Sequence, residues 1–139
     1  MDNTELAAIQ PAEYLKNGFY DQQGEPLEGL NGYYSLATAY RLREEKADPD
    51  RVQDVVDQLD SMIASQDKSI DQNPKLSLDA DSLRALDEIA KKTSSSTLRD
   101  VFTAARPWVK DWRTFAALTV HLHRVLSQFS LIHSLPEKE

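Results

Sequence analysis

Every glycine of this chain, Gly18, Gly24, Gly29 and Gly32, falls in one early stretch, and none occurs beyond Gly32. Past that point the backbone lacks the residue that enters left-handed conformations at no steric cost, so turns that require glycine are absent from most of the sequence. The remainder of the chain is instead a succession of apolar residues three and four apart, the spacing that lines one side of an α-helix. Such a chain is confined to helices joined by short polar breaks.

The periodicity can be traced element by element. Tyr33, Leu36, Ala37 and Tyr40 carry a helix up to Lys46. Asp48-Pro49 then offers an N-cap and a first-turn proline. The next helix is the clearest, with Val52, Val55, Val56, Leu59, Met62 and Ile63 on one side and Asp54, Asp57 and Ser61 on the other. Asp79 or Asp81 caps a further helix presenting Leu83, Leu86 and Ile89, and Ser94, Ser95 and Ser96 interrupt it, one of them capping the next helix. From Leu98 the stripe runs Val101, Phe102, Ala105, Val109, Trp112, then Phe115, Thr119, Leu122, Leu126 and Phe129. Trp108 and Trp112 lie beside or within it and are assigned to the core rather than to base stacking. Pro107 interrupts this stretch, and without an N–H it either begins a new helix or kinks a long one. Upstream, Pro11 suits the first turn of a short helix bearing Tyr14 and Leu15 that stops at Gly18. An irregular loop is expected over about 18–32 and a polar linker over about 66–78, with Asn73-Pro74 as its turn signal. No strand pattern and no internal repeat appears. The expected fold is all-α, a single-domain helical bundle of about five or six helices over residues 1–139.

The length of 139 residues and an apolar content of 40% suffice for one core. The absence of cysteine excludes disulfides and thiolate metal sites and fits a reducing cytoplasm. The N-terminus, Met1-Asp2-Asn3-Thr4-Glu5, is acidic where a signal peptide is basic and then apolar, and no apolar run approaches the ~20 residues of a membrane span. A cytoplasmic protein without membrane contact is expected.

Charge is laid unevenly along the chain. Acidic residues outnumber basic ones 19 to 8 from Met1 to Ala90, whereas basic residues outnumber acidic ones 8 to 4 from Lys91 onward. A dipole of this kind governs association rather than fold, letting copies stack or holding an acidic partner on one face. Arg99, Arg106, Lys110 and Arg113 succeed one another at seven, four and three residues, near one helical face if the helix continues through Pro107, with Arg124 further along. These five are the candidate RNA-backbone or interface residues, and contact with phosphates through them would be strongly salt-dependent. Neutralisation of the chain's own acidic body is the competing assignment.

Other constellations point to chemistry less well. The row Asp50, Asp54, Asp57 and Asp60 suggests a hard cation, as in a metal-dependent nucleotide hydrolase, but Asp54 and Asp57 lie opposite the apolar stripe and read as a solvated face. His121 and His123 point about 200° apart on a helix and cannot easily share an ion, and His133 has no partner at useful spacing. There is no Gly-x-Ser-x-Gly elbow, and no glycine-rich phosphate loop is possible after Gly32. The chain is therefore read as a non-enzyme with no catalytic residues, no metal site and no cofactor. A rival without RNA is an acidic adaptor or inhibitor working by protein contact alone, through its aspartate face.

Two stretches resemble a known family. Glu13 to Leu30, EYLKNGFYDQQGEPLEGL, is similar to the opening of the small helical subunit of type III CRISPR effector complexes, where a short helix leads into an aromatic-Asp-x-x-Gly turn. Val109 to Phe129, VKDWRTFAALTVHLHRVLSQF, resembles the terminal helix of those subunits, with its Asp followed by spaced Phe, Leu and aliphatic positions. The resemblance implies a non-catalytic subunit of an antiviral defence complex. Its partners would be other protein subunits, including copies of itself stacked head to tail, and single-stranded or guide RNA touched at the backbone, with base pairing supplying specificity.

Overall fold

A computed structural model describes residues 7–8, 32–66, 72–73 and 77–133. The expected helix at Pro11, the expected loop over about 18–32 apart from Gly32, which is helical, and the stretch Glu13 to Leu30 lie outside the described residues, as does most of the 66–78 linker. Among the described residues five α-helices are delimited: α1 Gly32–Glu44, α2 Pro49–Ser65, α3 Ala80–Lys92, α4 Ser96–Ala105 and α5 Trp112–Ile132, with a 3-10 turn, Arg106–Trp108, between the last two. The fold is an all-α helical bundle. Among the described residues there is no strand, only an isolated antiparallel bridge between Ser77 and Asp111. None of these helices is long and apolar enough to cross a membrane.

Four of the five starts carry their own cap. The Asp48 carboxylate accepts from the Asp50 amide at 2.9 Å, with Pro49 in the first turn of α2. Asp79, rather than Asp81, caps α3 by accepting from the Ser82 amide, and hydrogen bonding from Ser82 holds its carboxyl below the usual range. Of the three serines, Ser95 caps α4 through the Leu98 amide at 3.1 Å. Asp111 caps α5 in a reciprocal box: the Thr114 amide donates to Asp111 at 2.8 Å, and the Asp111 amide donates to the Thr114 hydroxyl at 3.1 Å.

The ends are equally local in origin. α1 closes with the Lys46 amide donating to the Arg43 carbonyl and the Ala47 amide to the Leu42 carbonyl, which places Lys46 at φ 59°. This is the double-bonded helix stop that glycine ordinarily serves, made here by a lysine. Pro107 resolves as a boundary: α4 ends at Ala105, Pro107 lies in the 3-10 turn, and α5 starts afresh at its own cap.

α5 is the axis of the bundle. Phe115, Leu118, Leu122, Val125 and Phe129 are buried along it, and α1 and α2 both pack against it. α2 contributes Val52, Val55, Val56 and Leu59, while α1 contributes small residues, Ala37, Thr38 and Ala39, beside Leu42. Small side chains at a contact let two helix axes approach closely. Trp112 is 2% exposed and meets Phe115 edge-on, and Trp108 packs against the core in part, so both tryptophans belong to the interior.

One end of the 66–78 linker departs from its polar expectation. Leu78 is buried in the core, and its amide donates to the Lys110 carbonyl at 3.3 Å. That end, Ser77 and Leu78, is thereby pinned beside the turn that leads into α5.

Candidate functional site: cations beside an apolar groove

The five cations singled out by sequence do not form a single row, because the 3-10 turn resets the helical phase between Ala105 and Trp112. Arg99 and Arg106 remain together on the outer side of α4 and its turn. The Arg99 guanidinium donates to the Thr93 carbonyl at 3.2 Å, and that of Arg106 donates to the Asp87 carboxylate on α3 at 2.9 Å. Lys110 is exposed in the loop before α5. Arg113 turns back onto Asp111 at 3.3 Å, its side chain 25% exposed, so its charge is committed to the α5 cap. Arg124 stands apart on the exposed side of α5.

The carboxylate row also separates by role. Asp50 occupies the first turn of α2, where the helix dipole favours a negative charge, and Asp54 and Asp57 are exposed. Asp60 meets the His123 ring at 2.8 Å and ties α2 to α5. Among the described residues no group of three or more His, Asp or Glu side chains is placed to hold a metal ion.

The histidines take three unrelated positions. His121 is 2% exposed, and burial, with Arg124 nearby adding to it, lowers its pKa to about 3. His123 is exposed against Asp60, and His133 lies at the end of α5, its ring nitrogen 3.1 Å from the Phe129 carbonyl. The 200° separation read from sequence is what divides a buried His121 from an exposed His123.

Two features escape sequence reasoning. The first is a groove of about 420 Å³ between α3 and α4. Leu86 and Phe102 form its floor, Ala90 and Pro107 its apolar walls, and the Asp87–Arg106 pair with Thr103 its polar edge. Lys91 lies one turn of α3 beyond Asp87, and Arg99 precedes Thr103 by one turn of α4, so both stand beside the groove. The second feature is Glu45. Its carboxylate accepts from the hydroxyls of Ser95 and Ser96 and from the Thr97 amide, while Arg41 pairs with Asp100 at 3.0 Å, so the end of α1 grips the start of α4. Neither feature has a local signal, since each joins residues that are distant in sequence.

What the arrangement offers chemically is surface for contact: an exposed acidic side on α2, and on α3 and α4 cations beside an apolar floor. Searches of family models, curated proteins and solved structures returned no match to this chain.

Proposed function

We propose that this chain is a non-catalytic helical assembly subunit of the cytoplasm, of the kind that serves as the small subunit of a type III CRISPR effector complex in antiviral defence. It works by contacts to neighbouring protein subunits, copies of itself among them, and to the phosphate backbone of RNA. The observation that carries this reading is the division of the surface. α2 exposes Asp50, Asp54 and Asp57, with Arg51 among them, while α3, α4 and its turn expose charges of both signs, of which Lys91 and Arg99 form no ion pair with a described residue. An acidic side on one helix and uncommitted cations on others suit repeated, unidirectional stacking, in which one face of a copy meets another face of the next. Exposed arginines and lysines suit a backbone read without base contacts. The resemblance of Val109 to Phe129 adds support from sequence, because that segment coincides with the capped and buried α5.

The test is binding of the full chain to labelled single-stranded RNA over a salt series, beside a variant with Arg99, Arg106 and Lys110 changed to Glu. The expected result is affinity that falls steeply as salt rises and is lost in the variant. Absence of binding at low salt, or binding indifferent to the three substitutions, would remove the RNA component. A partner lost on reversing Asp54 and Asp57 to Lys, with the cation variant still competent, would favour the acidic adaptor instead.

A further inference from the structure

We propose that the groove between α3 and α4 docks an acidic amphipathic segment of a partner protein, with an apolar side chain seated against Ala90 and Pro107 above the floor and carboxylates against the flanking cations. This rests on the assembly-subunit reading and adds to it the chemistry of one partner. At about 420 Å³ the groove lies toward the small end of ligand pockets, which run from about 300 to 1,000 Å³. That room suits one or two anchoring side chains of a helix laid across it, the mode in which amphipathic segments commonly bind.

The sign of the partner is set by the charges around the groove. Asp87, the only carboxylate lining it among the described residues, is already bonded to Arg106. Arg84, one turn before Asp87, is paired with Asp81 at 3.2 Å. Lys91 and Arg99 form no ion pair with a described residue, and the one bond from the Arg99 side chain goes to a neutral backbone carbonyl. The local excess is therefore positive, and a partner carrying carboxylates beside its apolar anchor meets it with complementary potential.

The same features disfavour the other occupants. A phosphate backbone would use the cations but gain nothing from the apolar floor. The chain's own acidic helix is a poor fit, because the side that α2 exposes reads Gln53, Asp54, Asp57, Gln58 and Ser61, without an apolar anchor.

The test uses the full-length chain and a fluorescein-labelled, helix-forming peptide of Glu, Leu and Ala with Leu at helical spacing, monitored by anisotropy. Its controls are the same peptide with Leu replaced by Ser, the same with Glu replaced by Lys, and a single-stranded uridine oligonucleotide. Thr103→Glu places bulk and negative charge at the exposed edge of the groove, and Lys91→Glu with Arg99→Glu reverses the flanking charge. Circular dichroism of each variant establishes that the helices persist. The expected result is saturable binding of the acidic amphipathic peptide alone, weakened about tenfold or more by either set of substitutions. No binding of that peptide would overturn the proposal, as would equal binding of its Ser counterpart. Displacement of the bound peptide by the oligonucleotide, with the same sensitivity to Thr103→Glu, would reassign the groove to RNA. Failure of the peptide with RNA binding retained defeats this proposal alone, whereas loss of RNA binding with the peptide retained defeats only the RNA part of the proposed function.

Discussion

At the residue scale the most consequential single group is His121, an imidazole enclosed by the core of a protein whose overall charge is acidic. Burial depresses its folded pKa to about 3, whereas in the unfolded chain it titrates at the ordinary value near 6.5. Above that value both states hold it neutral and it adds no pH dependence. Between 6.5 and about 3 the unfolded state binds the extra proton, so stability falls as the solution is acidified, by at most about 1.4 kcal/mol per pH unit. His121→Leu removes the titrating group. Urea unfolding at pH 7 and pH 4.5 should then show wild type losing about 2–3 kcal/mol more than the variant across that interval. Equal losses would mean that His121 is protonated in the folded state without penalty. That a histidine lies there was legible in the sequence only as a spacing. His121 and His123 had to face apart, but which ring turned inward depended on which of them shares the buried side of α5 with Leu118, Leu122 and Val125.

At the element scale the boundaries were well written in the chain, because caps are local chemistry. Asp48-Pro49, Asp79 and Ser95 each hold their helix start with a side chain two or three residues from its target amide, a distance at which sequence alone is informative, and Asp111 does the same for α5, a start that the apolar stripe running past it concealed. Pro107 was less legible, since a proline satisfies both a kink and a boundary, and only the 3-10 turn with the fresh cap at Asp111 separates them. The row of cations failed as a row for that reason: its spacing presumed one continuous helix. Asp111 is the most exacting of the caps, being 5% exposed, boxed with Thr114 and joined to Arg113. Asp111→Ala leaves an N-terminal amide and a largely covered guanidinium without that carboxylate. We expect a loss of about 2–3 kcal/mol, above the typical ~1 kcal/mol for a cap, read from chemical denaturation. Asp111→Asn, which keeps the cap acceptor but not the charge, should recover part of it.

At the scale of the whole molecule, what the sequence could not disclose is non-local. The α3–α4 groove depends on Leu86 and Phe102 meeting across the Ser94–Ser96 break, and the grip of Glu45 on α4 spans some fifty positions. Periodicity identifies which faces are apolar but not which face meets which, so the bundle was legible and its surface features were not. The grip of Glu45 also has a kinetic signature. The first turn of α4 has amides without partners inside the helix, and one of them, that of Thr97, donates to a carboxylate at the end of α1. Its exchange with deuterated solvent therefore reports whether α1 is docked, not whether α4 is helical. In Glu45→Gln the Thr97 amide should exchange faster while amides deep in α5 keep their rates, and unchanged protection at Thr97 would show that the two helices are clamped elsewhere. A label on that one amide would thus act as a latch sensor, timing the release of one helix from within another.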